Sequence, residues 1–117
     1  MDYKQLDAWK QSMHLVKNIY ELTNSFPKEE LYGIISQIRR SAISVPSNIA
    51  EGIGRNHKKD TVQFLHIARG SLYELETLFS IASMLNMMPD TKANETSGSI
   101  TRNLKLLNGL IRYFEKI

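Results

Sequence analysis

The sequence predicts an all-α protein, an antiparallel up-and-down four-helix bundle with a proline-kinked second helix, spanning residues 1–117 as one domain. Three observations point there. Apolar residues recur at alternating steps of three and four in four separate segments, the spacing that lines one side of a helix. The breaks between the segments are short and carry proline, glycine or asparagine, so consecutive helices must turn back on one another. No stretch alternates apolar and polar residues as a strand does, and there is no internal repeat or low-complexity tract.

In the first segment Leu6, Trp9, Met13, Val16 and Tyr20 form one apolar seam, and Leu15, Ile19, Leu22 and Phe26 form a second beside it. Asp2 or Asp7 can cap its start. The run "SFPKEE" ends it. Pro27 disfavours helix at Phe26 and fits the first turn of the next helix, where Glu29 and Glu30 suit the positive end of the dipole.

The second segment carries Leu31, Ile35, Ile38, Ala42, Val45 and Ile49, steps of 4, 3, 4, 3 and 4 that pass Pro46 without losing phase. A loop at Pro46 would have no reason to keep that register, so one kinked helix is expected over about 29–54. Proline in a helix interior costs about 3 kcal/mol through a lost hydrogen bond and a clash with the carbonyl four residues back. That carbonyl belongs to Ala42, and the small side chains of Ser41 and Ala42 leave room for a bend. Gly52 and Gly54 are expected to supply a left-handed exit, and Asn56 to cap the helix that follows.

The third segment should be the longest helix, about 57–87, with Leu65, Ala68, Leu72, Leu75, Phe79 and Ala82 as one seam. A second seam runs through Phe64, Ile67, Leu78, Ile81, Leu85 and Met88. After "NMMPD", Asp90 can cap the last helix, in which Ala93, Ile100, Leu107 and Phe114 recur every seven residues with Leu104 and Ile111 between them. The polar stretch "TKANETSGS" reads as exposed first turns or as a loop, and the phase of Ala93 favours helix.

Composition narrows the function. With 42% hydrophobic and 23% charged residues the chain has an ordinary globular balance, and no apolar run approaches the roughly 20 residues a membrane span needs. The opening "MDYKQLDAWK" lacks the hydrophobic segment of a signal peptide, so a cytoplasmic location is expected. The absence of cysteine excludes disulfides, thiolate metal sites and a cysteine nucleophile. None of His14, His57 and His66 follows a glutamate by three positions, as a di-iron bundle would require, so no metal or cofactor is expected. "EGIGRN" lacks the lysine and serine of a phosphate loop, and no hydrolytic triad stands out, so no catalytic residue is assigned. The net charge of +3 is uneven: between residues 39 and 69 six cations face two anions, a local +4 that leaves −1 for the rest.

Helices two and three are too apolar for a lone bundle. Arg39, Ile43, Pro46, Ala50 and Ile53 flank the main seam of helix two on one side, and such extra faces usually end against another subunit. The other flank is polar: Gln37, Ser41, Ser44, Asn48, Glu51 and Arg55. On helix three, Ser71 and Glu74 interrupt the second apolar seam. A carboxylate buried among Phe64, Ile67, Leu78 and Ile81 would need a cation or several donors, which Arg39, Arg40 or Asn48 can provide. Arg39, Arg40, Asn48, Glu51, Ser71 and Glu74 are thus expected to form a polar network that fixes which helices or subunits pair; a ligand site is the sharper alternative. Gly70 makes sense if another group approaches closely there.

The blocks "QIRRSAISVPSNIAEGIGR" (37–55) and "FLHIARGSLYELETL" (64–78) resemble the signature stretches of small four-helix bundle proteins encoded in intervening sequences of bacterial 23S rRNA genes. The opening "LDAWKQSMHLVKNIYELTNSFPKEELYG" is similar too, so the likeness covers roughly residues 6–88 and fades toward the last helix. It implies a ring-forming bundle, typically a homopentamer. It also implies kinship with accessory proteins of diversity-generating retroelements, which bind nucleic acid and a reverse transcriptase. Arg39, Arg40, Asn48, Glu51, Gly70, Ser71 and Glu74 stand at its motif positions.

Arg55, His57, Lys58 and Lys59 gather cations at a helix junction where N-terminal amides also favour phosphate, which makes them the candidate RNA- or DNA-binding site. No aromatic residue is interleaved with them, which argues against base-specific single-strand recognition; the plain alternative is a solvated basic turn. The expected function is a non-enzymatic, oligomeric scaffold that binds nucleic acid electrostatically, with a purely structural or protein-binding module as the alternative.

Overall fold

A computed structural model describes all 117 residues. After a 3-10 turn at Tyr3–Gln5, four helices follow: α1 (Asp7–Thr23), α2 (Ser36–Arg55), α3 (Lys58–Met84) and α4 (Asp90–Lys116). At about 1.5 Å of rise per residue the long pair sets the length of a rod measuring 45 × 25 × 20 Å.

Contacts between helices give the topology. Ser41, Ser44 and Gly52 on α2 bond Glu74, Ser71 and Thr61 on α3, so one index rises as the other falls. Arg69 and His66 meet Asn108 and Glu115 on α4 in the same reversed order. Along the α1–α4 groove, Ser25 and Leu22 lie near Pro89 and Lys92, while Gln11 and Asp7 lie near Lys105 and Leu106. Neighbouring helices therefore run antiparallel, up and down, as the short connections require.

The core is where the periodicity of helices two to four placed it. Leu65, Ala68, Leu72, Leu75, Phe79 and Ala82 are all buried, and the three fully buried leucines among them contribute about 2 kcal/mol each. Ile38, Ala42, Val45 and Ile49 face them from α2, with Ile35 just before it, and Ala93, Ile100, Leu107 and Ile111 from α4. The helix runs unbroken through Pro46, whose ring is itself buried. The stretch 91–99 is helical, as the phase of Ala93 suggested.

Several local expectations are corrected. The second helix does not start near residue 29. Pro27, extended at ψ 131°, precedes a 3-10 turn (Lys28–Glu30) and a π turn (Leu31–Ile35), in which Gly33 takes the non-helical angles φ −109°, ψ −114°. The break puts Leu31 out of phase, and its side chain is exposed. The exit from α2 is made by Asn56 in the left-handed region (φ 54°, ψ 35°), not by Gly52 or Gly54, and the residue before α3 is His57. Gly52 is instead buried, where a Cβ would come within 2.8 Å of the Phe64 Cβ. Gly70 has nothing within 4 Å of a Cβ, so no group of this chain approaches it. On α1 the core row is Ala8, Ser12, Leu15, Ile19 and Thr23, which leaves the seam through Trp9, Met13, Val16 and Tyr20 half-buried or exposed.

Candidate assembly and nucleic-acid surfaces

The polar stripe of α2 meets α3 in two hydrogen-bonded groups. The Ser41 hydroxyl donates to Glu74 Oε1 at 2.6 Å, a short contact in keeping with an ionised acceptor. One turn on, Ser44 and Ser71 join hydroxyl to hydroxyl at 2.7 Å. Asn48 Nδ2 donates to both the carbonyl (2.8 Å) and the hydroxyl (2.9 Å) of Ser44, and Ser71 donates to the Ile67 carbonyl at 3.2 Å. These bonds fix the α2–α3 register without burying a charge.

The expected six-residue network is divided. Asn48, Ser71 and Glu74 share the α2–α3 seam, but Glu74 is exposed rather than enclosed. The reason is that the α3 seam around it is not core: Ile67 and Ile81 are themselves 46% and 40% exposed. Glu51 points along its own helix to Arg55, at 3.8 Å. Arg39 turns the other way, toward α1. Its Nε donates to Thr23 Oγ1 at 2.9 Å, its Nη2 to Asn24 Oδ1 at 3.1 Å, and its guanidinium stacks 4.5 Å from the centroid of the Tyr20 ring. Thr23 and Asn24 were not singled out from sequence, although a polar pair ending an amphipathic helix is a signal for such a tie. Arg40 is exposed, makes no ion pair, and borders a shallow groove with Tyr20, Leu31, Tyr32 and Ile43.

At the α2–α3 junction Arg55, His57, Lys58 and Lys59 are all exposed. Arg55 is held by Glu51 and by the Phe64 ring, 5.1 Å from its guanidinium, and His57 Nδ1 lies 4.0 Å from Asp60 Oδ1. Lys58 and Lys59 form no ion pair, so they are the two cations of the cluster left without an anionic partner.

A groove of about 570 Å³ between α1 and α4 is lined by eleven residues, all polar except Leu15, Leu22 and Pro89, whereas small-molecule pockets are lined mainly by apolar side chains. No three His, Asp or Glu side chains converge on a point that could hold a metal ion. No helix is long and apolar enough to cross a membrane. What the surface does offer is exposed apolar side chains, nine of the thirteen large ones in two groups, with Tyr73 on α3, Tyr113 on α4 and the terminal Met1 and Ile117 apart from them. One group lies on the α1–α2 side (Met13, Tyr20, Leu31, Tyr32 and Ile43), the other along α3 (Ile67, Ile81, Met84 and Leu85).

A comparison with curated proteins finds no match. Among solved structures, the chain is similar to a protein of unknown function from the S23 ribosomal protein family of Bacteroides thetaiotaomicron VPI-5482. The TM-score is 0.84 and the identity 21%, with 96% of this chain and 99% of that one covered. At that identity the likeness speaks for the fold alone. The family model described as 23S rRNA-intervening sequence protein matches residues 4–109, nearly the whole bundle and both blocks that suggested the resemblance. The chain belongs to the 23S rRNA-intervening sequence protein family.

Proposed function

We propose that this protein is a non-enzymatic, cytoplasmic scaffold that assembles with copies of itself and, once assembled, binds RNA or DNA at one basic end. The observation that carries the assembly reading is the placement of the exposed apolar side chains. Eight of the thirteen, Met13, Tyr20, Leu31, Tyr32, Ile43, Ile67, Ile81 and Leu85, lie on two neighbouring sides of the bundle that share α2, while the α1–α4 groove is lined mainly by polar residues. Two different faces that complement each other generate a head-to-tail ring rather than a two-fold dimer. Adjacent sides of a square bundle stand roughly at a right angle, which suits closure at a small number of copies and is compatible with the pentamer that the family likeness implies.

Charge supports the nucleic-acid reading. Residues 1–10, 51–62 and 110–117, which meet at one end of the rod, hold seven cations against five anions. Residues 21–33 and 84–97, at the other end, hold two against five. The rod is thus basic at the end that carries Lys58 and Lys59 and acidic at the other, a polarity that orients an anionic polymer. A reverse transcriptase, by analogy with the accessory proteins of diversity-generating retroelements, is the protein partner such a scaffold would carry.

Light scattering after gel filtration tests assembly. A pentamer of 13.4 kDa chains should weigh about 67 kDa, and a monomer at every concentration would refute the reading. Fluorescence anisotropy with labelled RNA and DNA at about 50 and 200 mM salt tests binding, which should weaken steeply as released counterions are restored. Lys58→Glu with Lys59→Glu should lower that affinity while leaving the mass unchanged. Absence of affinity at low salt would leave the purely structural module standing.

A further inference from the structure

Three features of the chain together decide which surface meets which. The first is charge. The α1–α2 side carries Arg39 and Arg40 amid Tyr20, Leu31 and Ile43, whereas the α3 side carries Glu74 amid Ile67, Leu78 and Ile81. Neither arginine nor the glutamate has an ion-pair partner within the chain. Packing either side on its own copy about a two-fold axis that passes near these residues would set arginine against arginine or glutamate against glutamate, and like charges facing each other at an interface are strongly unfavourable. Packing one side on the other sets opposite charges together.

The second feature is height. Subunits of a closed ring whose axis runs along the bundle are related by rotation with no rise, so groups that meet must sit at the same level on the rod. The 2.6 Å bond from Ser41 to Glu74 puts the carboxylate level with Ser41, which follows Arg40 by one residue, about 1.5 Å along the helix. The third is preparation of the groups themselves. The Ser41 hydroxyl fixes one carboxylate oxygen and leaves the other free, while Thr23, Asn24 and the Tyr20 ring hold Arg39 in one pose beside the exposed Arg40. Groups already fixed lose less entropy on pairing.

We infer that the occupant of the α1–α2 side is the α3 side of a second copy, with Glu74 of one copy lodged against the Arg39–Arg40 pair of the next. This rests on the ring-assembly reading and names its contact. Arg40 is the residue to reverse, because Arg39 also ties α1 to α2 and its loss would perturb the monomer.

The test compares the dissociation midpoint of the full-length protein with those of Arg40→Glu, Glu74→Arg and the two combined in one chain, by light scattering or analytical ultracentrifugation. Circular dichroism checks that each variant stays helical. Each single reversal should weaken assembly by about tenfold or more, and the combined reversal should recover most of it, because every interface then regains an opposite pair. Singles without effect, or a combined variant no better than either single, would overturn the pairing while the assembly reading stood. A monomeric parent protein would overturn both.

Discussion

Replacing Gly52 by alanine should destabilise the bundle, against the usual direction of a glycine-to-alanine change within a helix. On propensity alone the substitution stabilises by about 1 kcal/mol. At Gly52, however, the new methyl would sit 2.8 Å from the Phe64 Cβ and 3.1 Å from the Thr61 carbonyl oxygen, neither of which is the free end of a flexible side chain. Helices α2 and α3 would have to part, at an overpacking cost of about 1–3 kcal/mol. The same movement strains the 2.6 Å bond from Thr61 Oγ1 to the Gly52 carbonyl, worth about 1 kcal/mol net. The clash and the strained bond outweigh the propensity gain, for a net loss of about 2 kcal/mol, or roughly 8 °C of Tm at about 4 °C per kcal/mol. Gly54→Ala, one turn-end away with nothing within 4 Å of its Cβ, is the matched control and should be neutral to slightly stabilising. Thermal and urea denaturation followed by far-ultraviolet circular dichroism, at one fixed protein concentration, read both variants. If Gly52→Ala were as stable as Gly54→Ala, the close approach of α3 would not be the reason for glycine at 52.

Two further changes probe the tie between α1 and α2 and the core itself. Thr23→Val keeps the shape of a buried side chain but removes the acceptor for Arg39 Nε, so the urea midpoint should fall by the equivalent of about 1 kcal/mol; an unchanged midpoint would mean that water replaces the hydroxyl there. Asn103 is buried with its Oδ1 unpaired, although its amide donates to the Ser99 carbonyl at 2.9 Å, so Asn103→Leu, which keeps the branching and removes the unpaired oxygen, should raise Tm by the equivalent of about 1 kcal/mol. A fall in Tm would show that the oxygen has a partner such as a buried water.

What could be read in the sequence was the set of contacts that obey a period. The α3 row of six and the α2 row from Ile35 to Ile49 are buried residue for residue. Periodicity fails in three places, each for a physical reason. At Gly33 a backbone excursion resets the phase, and a π turn adds residues that a count of 3.6 per turn cannot absorb. On α1 two apolar seams compete, and the chosen one includes Ser12 and Thr23, which look polar in a sequence. Both are cheap to bury because their hydroxyls bond their own helix, Ser12 to the Trp9 carbonyl at 2.7 Å and Thr23 to that of Ile19 at 2.8 Å. Glu74 is the third. The spacing put it correctly on the α3 seam beside α2, but a helical wheel cannot say whether a side chain on a flank is covered by the same chain or left bare.

That last distinction governs how a modest charge could matter. A single copy offers Lys58 and Lys59 as its unpaired junction cations and a net charge of only +3, which is weak for holding nucleic acid. Symmetry changes this. In a head-to-tail ring every copy points the same way along the axis, so each basic end falls on one rim and each acidic end on the other. The lysine pairs then act as a closely spaced array, and counterion release scales with the number of phosphates met at once. In a two-fold dimer with its axis across the rods the ends would alternate, each rim would mix basic and acidic groups, and the same residues would attract little. The reversal of Arg40 therefore probes more than assembly. It leaves Lys58 and Lys59 in place, so a loss of nucleic-acid affinity in that variant, with recovery in the combined Arg40→Glu and Glu74→Arg chain, would show that the rim rather than the single junction is what binds.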